Sequence, residues 1–335
     1  MNRIPIVISS DNKAFFTVGV VLTSLLENAK SDTFYEINVL YTSDVTEENK
    51  NKLLELKNRY QNMSLCMFNM GDKFKDIPST EGYHVNYVSA YKMLIPSMFL
   101  QYEKLIYLDT DIIVRGDLWE LYNENLGDNY IGGCPAVSYH LDKELNNKII
   151  KQTNLPNLDY YVNAGVLLMN LNKIREDKID EKWISLIGKF EGSVDQTIFN
   201  TVCYGRIVLL PIKYNACLTC IKLYNTPEMR ILCTEGDAEE ALKQPVIFHW
   251  TGREKPWKYD DTILASEWLR YYAKSPYGSM PLERGKCNIV KNLNKYKKTW
   301  YIAGIPMLKC KIEDNKKTYY LFGFIKFLHE NKRRR

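Results

Sequence analysis

Two carboxylates one residue apart, Asp109-Thr110-Asp111, interrupt an otherwise apolar run: Lys104-Leu-Ile-Tyr-Leu leads in and Ile112-Ile-Val leads out. Successive side chains of an extended strand point to opposite faces, so both acids serve one small cation only where the strand ends and turns. The stretch therefore predicts a strand that stops at a metal site. With 18 aspartates in 335 residues, about one Asp-x-Asp is expected by chance, and this chain contains one. A solvated acidic turn stays open as the other reading. Context favours a ligand, because α/β sheets bind ligands at the carboxyl ends of their strands.

Other chemistries are narrowed by what is missing. No Gly-x-Gly-x-x-Gly follows the first apolar run and no Walker-type loop appears, which argues against dinucleotide and P-loop enzymes. A bound diphosphate then needs another neutralising device, and a divalent cation held by carboxylates is the usual one. Cys217-Leu-Thr-Cys220 has a zinc-like spacing, but no second Cys-x-x-Cys or paired histidines accompany it. The eight cysteines are dispersed through apolar segments and read as reduced core thiols.

The elements that must carry these residues alternate in type. Ile4–Ile8 reads as a buried strand, Ser9–Lys13 as a polar turn, and Ala14–Asn28 as a helix apolar nearly all round. A strand at Tyr35–Tyr41, a helix at about Thr46–Tyr60 with Asp44 and Glu47 at capping-box spacing, and a strand at Met63–Phe68 follow. Gly71–Val85 reads as a mobile polar loop over the site, and Tyr87–Phe99 as a helix broken near Pro96. Beyond Asp111 come a short helix at Asp117–Tyr122 and a strand at Tyr130–Cys134. Tyr160–Met169 is a strong strand signal, and its embedded Asn163-Ala-Gly165 suggests close approach by a ligand or another backbone. Asn172–Phe190 and Asp195–Tyr204 read as helices, Ile207–Leu210 and Val246–His249 as strands. This alternation predicts an α/β fold with a mostly parallel sheet flanked by helices.

Five features in order resemble glycosyltransferase family 8 over about residues 4–275: Ser9–Lys13, Asp109-Thr-Asp111, Asn163-Ala-Gly165, Asp195-Gln196 and Phe248-His-Trp-Thr-Gly-Arg-Glu-Lys-Pro-Trp257. That family includes bacterial lipopolysaccharide galactosyl- and glucosyltransferases and glycogenin. The resemblance implies a GT-A fold and a retaining transfer from a UDP-sugar, UDP-galactose or UDP-glucose, assisted by Mn²⁺ or Mg²⁺. Asp109, Asp111 and His249 match the metal ligands, and a mixed carboxylate and imidazole set suits Mn²⁺. Gly252 and Lys255 match diphosphate contacts. Asn163 and Ala164 match positions beside the donor sugar, while Asp195 and Gln196 match the pair that grips its hydroxyls and faces the anomeric carbon. Ser9, Asp11, Asn12 and Thr110 complete the implied donor site. Taken alone, His249 also fits a hydrogen-bonded histidine at a strand end, and Lys255 a solvated loop lysine.

Four positions depart from the pattern or sit at its margin. Lys92 stands where the family commonly has an arginine reaching sugar and phosphate, which exchanges a bidentate fork for a point charge. His84 matches a position near donor and acceptor. Ser10 and Lys13 replace the acidic and aromatic residues that usually recognise the uracil, although Asp11 and Asn12 are kept. The implied catalytic residues are Gln196, Asp195 and Lys255. An amide beside the anomeric carbon favours front-face substitution over a covalent intermediate. Two other classes stand beside this one. A sugar-nucleotide-forming nucleotidyltransferase should carry a Gly-rich loop after the first strand, and Ser9–Lys13 has no glycine; a non-catalytic membrane-surface protein that binds nucleotide sugars would keep the fold without turnover.

Charge is unevenly spread. Residues 286–335 hold 14 Lys and Arg against 3 acidic residues, while the other 285 hold 31 against 37. Within that basic stretch, Thr299-Trp-Tyr-Ile-Ala-Gly-Ile-Pro-Met-Leu and Thr318-Tyr-Tyr-Leu-Phe-Gly-Phe-Ile-Lys-Phe repeat 19 residues apart, too few copies for a solenoid. We expect a catalytic domain over 1–280 and a basic aromatic region over 281–335. The latter suits an anionic membrane surface, with a solvated tail as the alternative. Nucleic acid is not expected, since no RNA- or DNA-binding motif accompanies the charge. Neither a secretory signal nor an apolar stretch of ~18 residues is present, so the expected location is the cytoplasm, peripheral on the inner face of the cell membrane. There a role in lipopolysaccharide biosynthesis, with a saccharide or lipid-linked acceptor, would fit.

Overall fold

In a computed structural model of the chain, residues 2–76, 87–190, 194–217, 219–220 and 235–285 are described, together with the backbone of four strands between 296 and 331. His84, Cys233 and most of the expected loop over the site lie outside the described residues. The chain divides into two units, Met1–Arg253 with Glu267–Pro281, and Glu254–Ser266 with Leu282–Arg335.

Strands β1 (Asn2–Ser10), β2 (Thr33–Tyr41), β3 (Met63–Asn69) and β4 (Lys104–Leu108) open the first unit, followed by β5 (Ile112–Val114), β6 (Ile131–Pro135), β7 (Val162–Asn170) and β8 (Ile207–Leu209). Short β9 (Ala216–Cys217) and β10 (Ile247–His249) complete its strands. Seven of them form one sheet in the order β3-β2-β1-β4-β7-β6-β8. β1, β2, β3 and β4 pair in parallel, as do β6 and β8, whereas β7 runs antiparallel to both its neighbours. The sheet is therefore mostly parallel, as the alternation of elements requires, with one reversed strand.

Burial explains the apolar first helix, Phe15–Glu27. Val18, Val20, Val21, Leu22 and Leu25 are wholly buried, and so are Thr17, Thr23 and Ser24. Each fully buried aliphatic side chain contributes about 1.5–3 kcal/mol, and the buried hydroxyls of Thr23 and Ser24 are satisfied by Gly19 O and Val21 O. Ser24 Oγ also accepts from Val114 N at 3.0 Å, which ties this helix to β5. The helix expected near Thr46–Tyr60 is two, Glu47–Leu54 and Leu56–Arg59. Thr46, not Asp44, supplies its cap by accepting from Asn49 N; Asp44 accepts instead from the Thr42 hydroxyl. Tyr87–Leu94 is a 3-10 helix. The long helix expected at 172–190 breaks at Lys178, whose φ of 51° is left-handed. Cys66 is exposed, unlike the other described thiols, which are buried.

In the second unit four strands, β11 (Tyr296–Ile302), β12 (Ile305–Glu313), β13 (Lys316–Leu321) and β14 (Ile325–Asn331), form an antiparallel sheet in chain order. Each copy of the sequence repeat begins in one strand of an antiparallel pair and ends in the next. The register shifts between Trp300 and Tyr301 in one hairpin and between Tyr319 and Tyr320, 19 residues on, in the other. Thr299, Lys309, Tyr320 and Lys326 occupy one cross-strand row, and Lys297, Lys311, Thr318 and His329 another two residues away, so these rows share one face. Trp300, Leu308, Leu321 and Ile325 fall on the opposite one. Among the described residues no helix is long and apolar enough to cross a membrane.

Candidate active site

The paired aspartates sit where the chain leaves one sheet for another. β4 belongs to the seven-stranded sheet, whereas β5, three residues later, pairs with β10 in a second sheet of order β5-β10-β9. Both ends of the crossing are pinned by backbone bonds: Asp109 N donates to Gly165 O at 2.7 Å on β7, and Trp250 N donates to Asp111 O at 2.9 Å just past β10. The register of β5 and β10 sets Ile112 against His249, which brings the imidazole to the carboxylates. His249 Nε2 lies 3.0 Å from Asp111 Oδ1. One ligand atom each from Asp109, Asp111 and His249 falls within 4.8 Å of the others, a group that could hold a metal ion.

Gly165 makes this approach possible. A Cβ there would lie 2.3 Å from His249 Cε1 and 2.8 Å from Asp109 Oδ2, closer than any side chain tolerates. The glycine embedded in β7 thus admits two side chains, and its carbonyl is approached by the Asp109 backbone as well. Carboxylate and imidazole donors crowded over a bare backbone position fit a divalent first-row cation.

The trio lines a cleft of 460 Å³ together with Asn163, Ala164, Asp195, Gln196 and Gly252. Helix Val194–Val202 presents Asp195 and Gln196, and Asn200 docks it on β7 by accepting from Val162 N at 2.7 Å and donating to Val162 O at 2.8 Å. Gln196 Oε1 accepts from Asn163 Nδ2 at 3.1 Å and Ala164 N at 3.3 Å. Lys92 does not line the cleft. It is 1% exposed, its ammonium 2.6 Å from Asp195 Oδ2, 3.3 Å from Asp109 Oδ1 and 3.0 Å from Ala164 O. Burial alone would depress its pKa; the carboxylates of Asp109 and Asp195 outweigh that and raise it. A lysine here ties Asp109, of the carboxylate–imidazole trio, to Asp195 on the neighbouring helix.

The remaining expected residues are placed differently. Ser9 is buried, its hydroxyl 2.7 Å from Tyr107 OH. Asp11 Oδ1 accepts from Ala14 N at 2.8 Å, and Asn12 Oδ1 accepts from Thr46 N and Asn49 Nδ2 at 3.2 and 2.8 Å. Those side chains hold the turn after β1 and the start of the next two helices. Thr110 is half-buried in the β4–β5 crossing. Lys255 belongs to the second unit, where its ammonium lies 5.9 Å from the Trp257 ring centroid.

The profile of glycosyl transferase family 8 matches residues 5–261. The chain belongs to this family. A lipopolysaccharide 1,2-glucosyltransferase of Escherichia coli K12 is 25% identical over 303 residues, 86% of this chain and 84% of that protein. Human glycosyltransferase 8 domain-containing protein 2 is 26% identical over 230 residues, 59% of this chain and 60% of that one. The galactosyltransferase LgtC, solved with donor and acceptor sugar analogues, superposes with a TM-score of 0.67 at 24% identity, over 81% of this chain and 96% of its own. The fold of this glycosyltransferase is accordingly GT-A.

Sequence reasoning about the family 8 chain missed part of its cleft. Asn215 lines it and bonds to His249 and Asn163 at 2.8 Å each. The signal was present: Tyr214-Asn-Ala-Cys217 repeats the Asn-Ala dipeptide of Asn163-Ala164 among apolar neighbours. Pro135 to Tyr139 form another wall, from the end of β6 into an unread helix, Val137–Leu141, with Tyr139 stacked on Tyr161 at 5.0 Å between centroids. Cys217 also lines the cleft, its Sγ 3.5 Å from Cys220 Sγ, and the hydrogen bond from that thiol lowers the Cys217 pKa. Among the described residues these cysteines are not part of a metal-ligating group.

Proposed function

We propose that this family 8 enzyme moves galactose or glucose from a UDP-sugar to a saccharide or lipid-linked saccharide with retention of configuration, Asp109, Asp111 and His249 holding Mn²⁺. The observation that carries the reading is the convergence of that trio with Asn163, Ala164, Asp195 and Gln196 on one cleft. The names of the Escherichia coli relative and of LgtC support glucose and galactose as the sugars.

Mn²⁺, when bound, supplies positive charge and Lewis acidity toward the departing diphosphate. Gly252, without a Cβ, admits the phosphates close to the backbone, and Lys255, three residues on, adds an ammonium for the leaving UDP. Ser9, Asp11 and Asn12 are assigned to the nucleotide end, with Thr110 beside the cation. Asn163 and Ala164 line the sugar's side. Asp195 Oδ2 is committed to Lys92 at 2.6 Å and Gln196 carries no charge, so neither is offered as a free carboxylate nucleophile. The acceptor hydroxyl therefore attacks C1 on the face from which UDP leaves, the C1–O bond to UDP breaking and the hydroxyl proton passing to the departing diphosphate.

A panel of nucleotide sugars with Mn²⁺, read by UDP release and by donor-induced thermal stabilisation, tests this without any acceptor. Turnover of a UDP-hexose that stops in Asp111→Asn is the expected outcome; no metal-dependent turnover with any nucleotide sugar would sink the reading. We further assign residues 286–335 to an anionic membrane surface. The row pattern puts Lys297, Lys309, Lys311 and Lys326 on one face of the sheet, and each lysine near such a surface contributes about 1 kcal/mol. Vesicle binding that survives deletion of 286–335 would overturn that assignment.

A further inference from the structure

We propose that Asn215 is a positioning residue: it fixes which imidazole nitrogen of His249 is offered to the cation and, through the same amide, the orientation of Asn163 on the sugar side. The inference rests on the cation reading above. Its ground is a chain of hydrogen bonds whose direction is set at two backbone amides. Gly165 N donates to Asn163 Oδ1 at 3.0 Å, and Ala164 N donates to Gln196 Oε1 at 3.3 Å. Both atoms are thereby oxygens, since a backbone N–H can only donate.

From those anchors every other group follows. Asn163 Nδ2 donates to Gln196 Oε1 at 3.1 Å. Asn215 must turn its Nδ2 to Asn163 Oδ1, at 2.8 Å, so its Oδ1 faces His249 Nδ1, also at 2.8 Å. An amide oxygen in that place requires a proton on Nδ1. Nε2, 3.0 Å from Asp111 Oδ1, is then the nitrogen whose lone pair meets the cation. Ligating histidines generally have their other nitrogen held in this way, and removing the holder costs about 10–100-fold in metal affinity. Here the holder is also tied to the sugar side, so cation and donor geometry are set together. Asn215 is buried, which keeps water from substituting for its amide.

Two substitutions separate the two bonds. Asn215→Asp keeps an acceptor for His249 Nδ1 but sets oxygen against Asn163 Oδ1; Asn215→Leu removes both bonds. With Mn²⁺ alone as the probe, Asn215→Leu should bind about 10-fold or more weakly and Asn215→Asp as well as wild type. In the donor assay Asn215→Asp should raise KM for the UDP-sugar at saturating Mn²⁺. Nitrogen-15 spectra of the metal-free wild type should show His249 protonated at Nδ1, a readout that needs no variant to fold. An unprotonated Nδ1 there, whatever proton Nε2 shares with Asp111 Oδ1 in the absence of metal, or unchanged Mn²⁺ affinity in a folded Asn215→Leu, overturns the proposal. Wild type that binds no Mn²⁺ overturns the cation reading itself and this proposal with it.

Discussion

The cleft of the first unit and the four-stranded sheet of the second are assembled in opposite ways. The cleft draws Asp109, Asn163, Asp195, Asn215 and His249 from five separate stretches of chain, and none of its local patterns is informative alone. The sheet is strictly sequential, each strand pairing with its neighbour in the chain, and its two hairpins repeat the same register shift. Long-range assembly makes a site that any one residue can disable. Local repetition makes a surface whose effect is spread over many lysines.

Substitutions should expose this difference. The largest effect is expected from Asp111→Asn or chelation of the cation: UDP release should fall about 10²–10³-fold, as when a preorganised electrostatic group is lost, and a drop smaller than tenfold would separate the trio from turnover. Lys92→Met comes next. It leaves Asp109 and Asp195, which line the cleft, without their shared ammonium, and removing one partner of a buried pair costs about 3–5 kcal/mol, read as a lowered denaturant midpoint. Because the Lys92 pKa is raised above its ordinary 10.5, the pair's contribution is complete below that value and is lost only as pH climbs beyond it. Wild-type stability should therefore show no Lys92-linked change between about pH 6 and 9.

Gly165→Ala is a steric test free of charge. Its Cβ would fall 2.3 Å from His249 Cε1, overpacking of this kind costs about 1–3 kcal/mol, and calorimetry should show weakened Mn²⁺ binding. A variant that binds the ion normally would mean the trio can spread. The smallest effect on chemistry belongs to the sheet. Reversing Lys297, Lys309, Lys311 and Lys326 to Glu should abolish binding to anionic vesicles in a salt-sensitive manner while UDP release from a soluble donor stays unchanged. If one lysine alone accounted for the binding, the contrast between the two regions would fail.

The same difference decided what could be read from sequence. Strands β1 to β4 and the apolar first helix follow from periodicity, because their buried faces are written into contiguous residues. Asp109, Asp111 and His249 gained meaning only as an ordered set with the Asn163-Ala-Gly165 strand. Periodicity could not show that β5 leaves the main sheet or that β7 runs backward, since strand direction is a property of pairing rather than of any one segment. The pairing of Lys92 with Asp109 and Asp195, 17 and 103 residues later, and its burial as their counter-charge had no local signal. Asn215 carried a local signal in its Asn-Ala dipeptide, but its partners His249 and Asn163, 34 and 52 residues away, were not legible from it. The helix cap shifted from Asp44 to Thr46 because Asp44 has a nearer partner in Thr42. In the tail the repeat was plain while its hairpins were not, because two copies fix a period without fixing a topology.

The crossing from β4 to β5 makes the proposed cation trio a clasp between two sheets. Asp109 closes one side through Gly165 on β7, and Asp111 and His249 close the other through β10. An ion held there fastens a small, short-stranded sheet to a large one. Hydrogen exchange should consequently slow in the amides of Ile112–Val114 and Trp250 when Mn²⁺ is added, while β2 and β3, remote from the clasp, keep their rates. On the proposed cation site, the opening free energy of that corner should rise by about 2.7 kcal/mol at a hundredfold excess of ion over Kd.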